Sequence, residues 1–150
     1  MKTSLIAKAA TIATLSLAAV ACAAPAEMQR PVPPIAQVGI THVEGSVSYR
    51  ERMLMPAGST MTVRVQDVSR ADARADTIAE ISYTLDGSGP PYGYRMRVMN
   101  DRIDPQHTYA VRAEIHDPRG RLVYTTDQRH EVLTRGASNE AHLVLVRVNQ

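Results

Sequence analysis

The sequence predicts a single all-β domain, an antiparallel β-sandwich or closed barrel of about seven or eight strands. Three observations lead there. Apolar residues recur at every second position over most of the chain beyond Gln37, Pro/Gly turn signals interrupt these runs, and no amphipathic helix of convincing length occurs. With 150 residues, there is room for one modest core and little more.

The N-terminal segment carries no such alternation. Lys2 and Lys8 precede a 13-residue apolar run, Ala9 to Ala21, that ends in small residues, the pattern of a signal peptide over residues 1–21. A lasting membrane span needs about 20 apolar residues, so this run is too short. Cys22, the only cysteine, follows at once and has no partner for an internal disulfide. Ala19-Val20-Ala21-Cys22 resembles the bacterial lipobox, with Ala19 where Leu is usual. That resemblance implies a diacylated and N-acylated (palmitate-bearing) Cys22, and Ala23 rather than Asp after it implies sorting to the periplasmic face of the outer membrane. Ala19-Val20-Ala21 and Ala21-Cys22-Ala23 also fit plain signal-peptidase cleavage, which would leave a soluble periplasmic protein. Residues 22–37 carry Pro25, Pro31, Pro33 and Pro34 and read as a tether. At ~3.1 Å per residue in polyproline II, it could hold the domain up to ~45 Å from a membrane.

The β domain is expected over residues 38–150. Val43, Gly45, Val47 and Tyr49 form one inward row; Met61, Val63 and Val65 a second; Tyr109, Val111, Ala113 and Ile115 a third. Shorter candidates are Ile81 to Leu85, Tyr94 to Val98, Leu122 to Thr125 and Glu131 to Leu133. Leu143 to Val148 is apolar on both phases and suits a central strand. Asp117-Pro118-Arg119-Gly120 reads as a type I turn and Asp86-Gly87 as a hairpin signal, while Pro56-Ala57-Gly58 and Asp104-Pro105 break the chain similarly. The one helical rival is Ala-rich Arg70 to Ala79, after a possible N-cap at Ser69.

Composition excludes several functions. Seventeen Lys+Arg against fifteen Asp+Glu give no case for nucleic-acid binding. Phe and Trp are both absent, which argues against base- or sugar-stacking platforms.

DVSRADARAD, residues 67–76, sets three carboxylates in ten residues. Asp67, Asp72 and Asp76 lack the spacing and central Gly of a calcium loop, and Arg70 and Arg74 would repel a cation. The expected role is structural: Asp67, Ser69 and Asp72 accept backbone N–H bonds in a tight turn, with the arginines as counter-charges. His42, His107, His116, His130 and His142 show no HxH or HExxH spacing, and His116 falls on the outward phase of its strand, so no metal is expected. Ser88 in DGSGP is a turn serine without a nucleophile-elbow motif, and neither catalytic residue nor cofactor is expected. Arg64, Arg95, Arg97 and Arg112 fall on outward phases. They could form a basic face toward lipid headgroups or an acidic peptide, or simply a solvated sheet face.

Four segments, YRERMLMPAGSTMTVRVQDVSRADA (49–73), PPYGYRMRV (90–98), IDPQHTYAVRAEIHDPRGRLVYTTD (103–127) and VLTRG (132–136), resemble in order the YbaY-type lipoproteins, a family that includes the YscW-type lipoprotein chaperones of type III secretion. DVSRADA is the most specific block. The resemblance implies a lipid-anchored periplasmic β domain without catalytic residues. Pilotin members of the family bind secretin subunits and help deliver them to the outer membrane, which implies an envelope or secretion protein as client. Three functions stay open: a monomeric, non-enzymatic binding module or chaperone, an enzyme of envelope polysaccharides, and a purely structural lipoprotein.

Overall fold

A computed structural model describes residues 39–149. The signal segment, Cys22 and the tether lie outside the described residues. Eight strands follow one another: β1 Ile40–Tyr49, β2 Thr60–Asp67, β3 Asp76–Thr84, β4 Tyr92–Met99, β5 Tyr109–His116, β6 Leu122–Thr125, β7 His130–Val132 and β8 Glu140–Arg147. Helix among the described residues is limited to a 3-10 turn at Asn100–Arg102. The all-β expectation holds.

All eight strands form one sheet in the order β3-β2-β5-β6-β8-β1-β4, with β7 paired to β5 end to end with β6. The sheet rolls up so that its two end strands, β3 and β4, approach each other, which makes a nearly closed barrel. Every pairing is antiparallel except β1 with β8, which is parallel with Gly45 opposite Ala141 and Val47 opposite Leu143. An entirely antiparallel sheet is therefore not what forms, because the last strand enters beside the first in the same direction.

Alternation dictates the core. Val43, Val47, Met61, Val63, Val65, Val111, Ala113 and Ile115 are all sealed from water on one face of their strands. With no Phe or Trp, tyrosines supply the large rings: Tyr49 stacks on Tyr124 with centroids 4.4 Å apart. Buried hydroxyls need partners, and Tyr92 donates to the Ser88 carbonyl at 2.9 Å, while Tyr109 accepts from the Asp104 amide at 2.9 Å.

The helical rival is excluded, and one local expectation is corrected. The Ala-rich stretch Arg70 to Ala79 is not helical: residues 70–75 form a loop, and Asp76 onward is β3, held by a ladder along β2 that includes a bulge at Val65/Gln66. Long-range pairing overrides local helix propensity here. β8 is central, as its composition suggested, lying between β6 and β1, but it is not buried on both faces. Leu143 and Leu145 fill the core, whereas Val144 and Val146 are 41% and 39% exposed, because a rolled single sheet has water on its outer side.

Candidate functional site

The feature that departs from a closed barrel is the seam between β3 and β4. These strands run in opposite directions, as a hydrogen-bonded pair would, yet no ladder joins them among the described residues. Side chains bridge the gap instead. The Tyr83 hydroxyl meets both the Arg95 amide, at 3.3 Å, and the Arg95 carbonyl, at 3.4 Å. Nearer the other end, the Arg102 guanidinium donates to the Ile78 carbonyl at 3.1 Å. The inward residues of β3, namely Ala79, Ile81 and Tyr83, pack against the core but remain only partly buried, unlike their counterparts on β2. Sequence reading missed Tyr83 and Arg102, since nothing local marks which two strands will end the sheet.

The four outward arginines do not assemble into one basic face. Arg64 and Arg112 are register partners on β2 and β5, whereas Arg95 and Arg97 stand on β4, with the seam and β3 between. Arg64 bonds both Glu80 and Glu114, and Arg112 lies 3.5 Å from Glu114, so this pair is neutralised. The bonds from Glu80 and then Glu114 push the Arg64 pKa further up, keeping it charged. Arg95 lies 3.3 Å from Glu44. Arg97 is exposed, opposite His42, with no carboxylate partner among the described residues.

Asp67 ends β2 and organises the lower loops. Its Oδ1 accepts from the Ser69 amide at 2.9 Å and the Ser69 hydroxyl at 2.6 Å, and its Oδ2 accepts from His107 Nδ1 at 2.6 Å. Ser69 in turn accepts from the Thr108 amide at 2.9 Å, tying the 67–69 turn to the start of β5. Burial pushes the Asp67 carboxyl up, but the Ser69 and His107 bonds together outweigh it and hold its pKa below the usual value. Asp72, Arg70 and Arg74 are exposed and make no hydrogen bond or ion pair among the described residues, so the side-chain partner of Asp67 beyond its own turn is His107, far along the chain. Ser88 donates its amide to Asp86 within the 86–89 turn. His116 is half-buried rather than fully outward, and His130 is half-buried too. Among the described residues, no three His, Cys, Asp or Glu side chains converge on a point that could hold a metal.

One constellation carries nucleophile chemistry in outline. Ser46 Oγ lies 2.9 Å from His142 Nδ1, and His142 Nε2 lies 3.1 Å from Glu140, along the outer face of β1 and β8. It borders a shallow hollow of ≈ 500 Å³ shared with Glu44, Tyr83 and Arg95. Acyl transfer also needs donors aimed at an oxyanion. Here the strand face is open to water, and β1 is laddered to β4 on one side and β8 on the other, leaving no amide pair turned toward Ser46.

A family model described as type III secretion system lipoprotein chaperone (YscW) matches residues 39–145. The uncharacterized lipoprotein YbaY of Escherichia coli (strain K12) is 28% identical over 109 residues, which cover 73% of this chain and 56% of that protein. The chain therefore spans little more than half the length of this relative. Among solved structures, an alternative pilotin from the type II secretion system of Vibrio cholerae aligns with a TM-score of 0.71 and 34% identity, over 75% of this chain and 100% of the other. The resemblance carried by residues 49–136 is thus matched in sequence and in fold, and the chain belongs to the YscW family of type III secretion system lipoprotein chaperones.

Proposed function

We propose that this chain is a non-enzymatic binding module of the bacterial envelope, anchored through lipidated Cys22 to the periplasmic face of the outer membrane, with residues 22–37 as tether. Its task is to chaperone an envelope or secretion-system subunit, in the manner of a pilotin. Membership in a chaperone family supports this, as does likeness to a solved pilotin. The observation that carries it in this chain is the seam, a rolled sheet whose two end strands face each other across side-chain bridges in place of a ladder. A client can use such edges, whereas a fully closed barrel offers none.

The enzyme reading finds less support. Its strongest element, the Ser46-His142-Glu140 line, lies on an exposed strand face without an oxyanion site.

The test is site-specific photo-cross-linking in intact cells, with the cross-linker placed at Arg97 beside the seam or at Glu131 on β7, across the barrel. An adduct with one envelope protein from position 97 and not from 131 is the expected result. Absence of any adduct from positions flanking the seam would overturn the reading.

A further inference from the structure

We propose that the β3–β4 seam is a strand acceptor, and that the client enters it as an extended segment alternating apolar with acidic residues. This rests on the binding-module reading and specifies how its client is held.

The backbone at the seam is already arranged for a strand. In an antiparallel ladder, a residue exchanges both its N–H and its C=O with the residue facing it. Arg95 presents both groups toward β3, and a single tyrosine hydroxyl takes the place of that facing residue, at 3.3 and 3.4 Å. These contacts are long for hydrogen bonds involving a hydroxyl, so little is lost when a peptide backbone replaces them. The Ile78 carbonyl on the opposite edge is met in the same way by the Arg102 guanidinium. β4 pairs with β1 over its whole length without a bulge and contains no proline, so neither of these two devices spoils it as an edge. Its exposed Arg95 and Arg97, and the bulge at Ile78 in β3, are the protection the seam does have, and an acidic segment meets the first of these favourably. Because β3 and β4 run in opposite directions, an inserted segment is antiparallel to one and parallel to the other.

Side-chain chemistry selects the occupant. Successive residues of the segment face opposite sides. Inward ones would cover Ala79, Ile81 and Tyr83, which pack on the core yet stay partly open, and so must be apolar. Outward ones would lie beside Arg95 and Arg97 on β4, and Arg97 has no carboxylate partner among the described residues. On the β3 side, Glu80 is already held by Arg64 and does not compete for these arginines. Acidic outward residues complete that charge pattern, and basic ones repel it.

The test uses the full chain in detergent micelles with a nine-residue peptide alternating Val and Glu, read by backbone amide NMR. Three comparisons accompany it: Lys in place of Glu, N-methylation of alternate peptide amides, and the variants Arg97→Glu and Tyr83→Phe. The Val/Glu peptide is expected to shift the amides of Arg95 and of β3. Its binding should weaken at least about tenfold on N-methylation, weaken with Lys or with Arg97→Glu, and tighten with Tyr83→Phe, which removes the competing hydroxyl and keeps the ring. Equal binding of the N-methylated peptide, no seam shifts at millimolar peptide, or seam shifts caused by the chain dimerising without peptide would each overturn the strand acceptor. A position-97 adduct in cells that persists alongside any of those results leaves the binding-module reading standing, whereas loss of the adduct removes that reading itself.

Discussion

The hydroxyl of Tyr94 donates a 2.8 Å hydrogen bond to the carbonyl oxygen of Ala141, although a whole strand separates the two residues. Gly45 of β1 lies between them, register partner of Tyr94 on one side and of Ala141 on the other. A Cβ at Gly45 would sit 1.9 Å from that same carbonyl, so the glycine is what lets the tyrosine pass over β1. Removing the hydroxyl in Tyr94→Phe should cost ~1 kcal/mol, a typical net loss for one buried hydrogen bond. Gly45→Ala should cost about 1–3 kcal/mol, because β8 must move. Urea denaturation of both variants checks the order, and a Gly45→Ala protein as stable as the parent would contradict it.

Asp67 should make stability acid-sensitive. Its pKa is held below the usual carboxyl value in the folded chain, chiefly against the pull of burial, by bonds from Ser69 and His107. A depressed folded pKa means a contribution that is complete above the unfolded value of about 3.9 and vanishes as pH falls through the lower folded value. Asp67→Ala should therefore lose ~1–2 kcal/mol near neutral pH and much less at strongly acid pH. Melting curves of parent and variant across that range would reveal the convergence, and a difference that does not shrink on acidification counts against this role.

Calcium or zinc should leave the melting temperature unchanged, since no described cluster offers three ligands. Differential scanning calorimetry with and without EDTA is sufficient, and a clear metal-dependent rise would assign 67–76 a different purpose.

Cys22→Ser should move the protein from the membrane fraction to the soluble periplasm without altering its thermal unfolding. Two or more acyl chains, at ~0.8 kcal/mol per buried CH₂, are enough for lasting attachment. Intact mass of the parent lacking acyl chains, or unchanged fractionation of the variant, would rule out the anchor.

Much of the barrel was legible because alternation is local. Val43, Val47, Met61, Val63, Val111 and Ile115 announce their inward face through spacing alone, and all are sealed in the core. Leu122 to Thr125 is bounded in the structure as its turn signals suggested. What stayed hidden depends on residues far apart. The β character of 76–79 comes from β2, and the parallel entry of β8 beside β1 leaves no trace in either strand. The seam residues were invisible for the same reason: Tyr83 reads as one more inward aromatic until the order of the strands is known.

The parallel pairing of β1 with β8 sets a timetable. Glu44 lies beside Glu140, and Tyr49 beside Leu145, so the first strand is completed by the last. A chain made from its N-terminus delivers residues 40–49 early and must wait for residues 140–147. Until those arrive, Val43 and Val47 lack the cover of Leu143 and Leu145, and a product cut short before residue 140 can never seal its interior. Contacts of such long sequence separation make for slow folding. Folding is thereby tied to completion of the chain, and a protease that cuts unsealed chains has a physical basis for removing truncated copies while sparing whole ones.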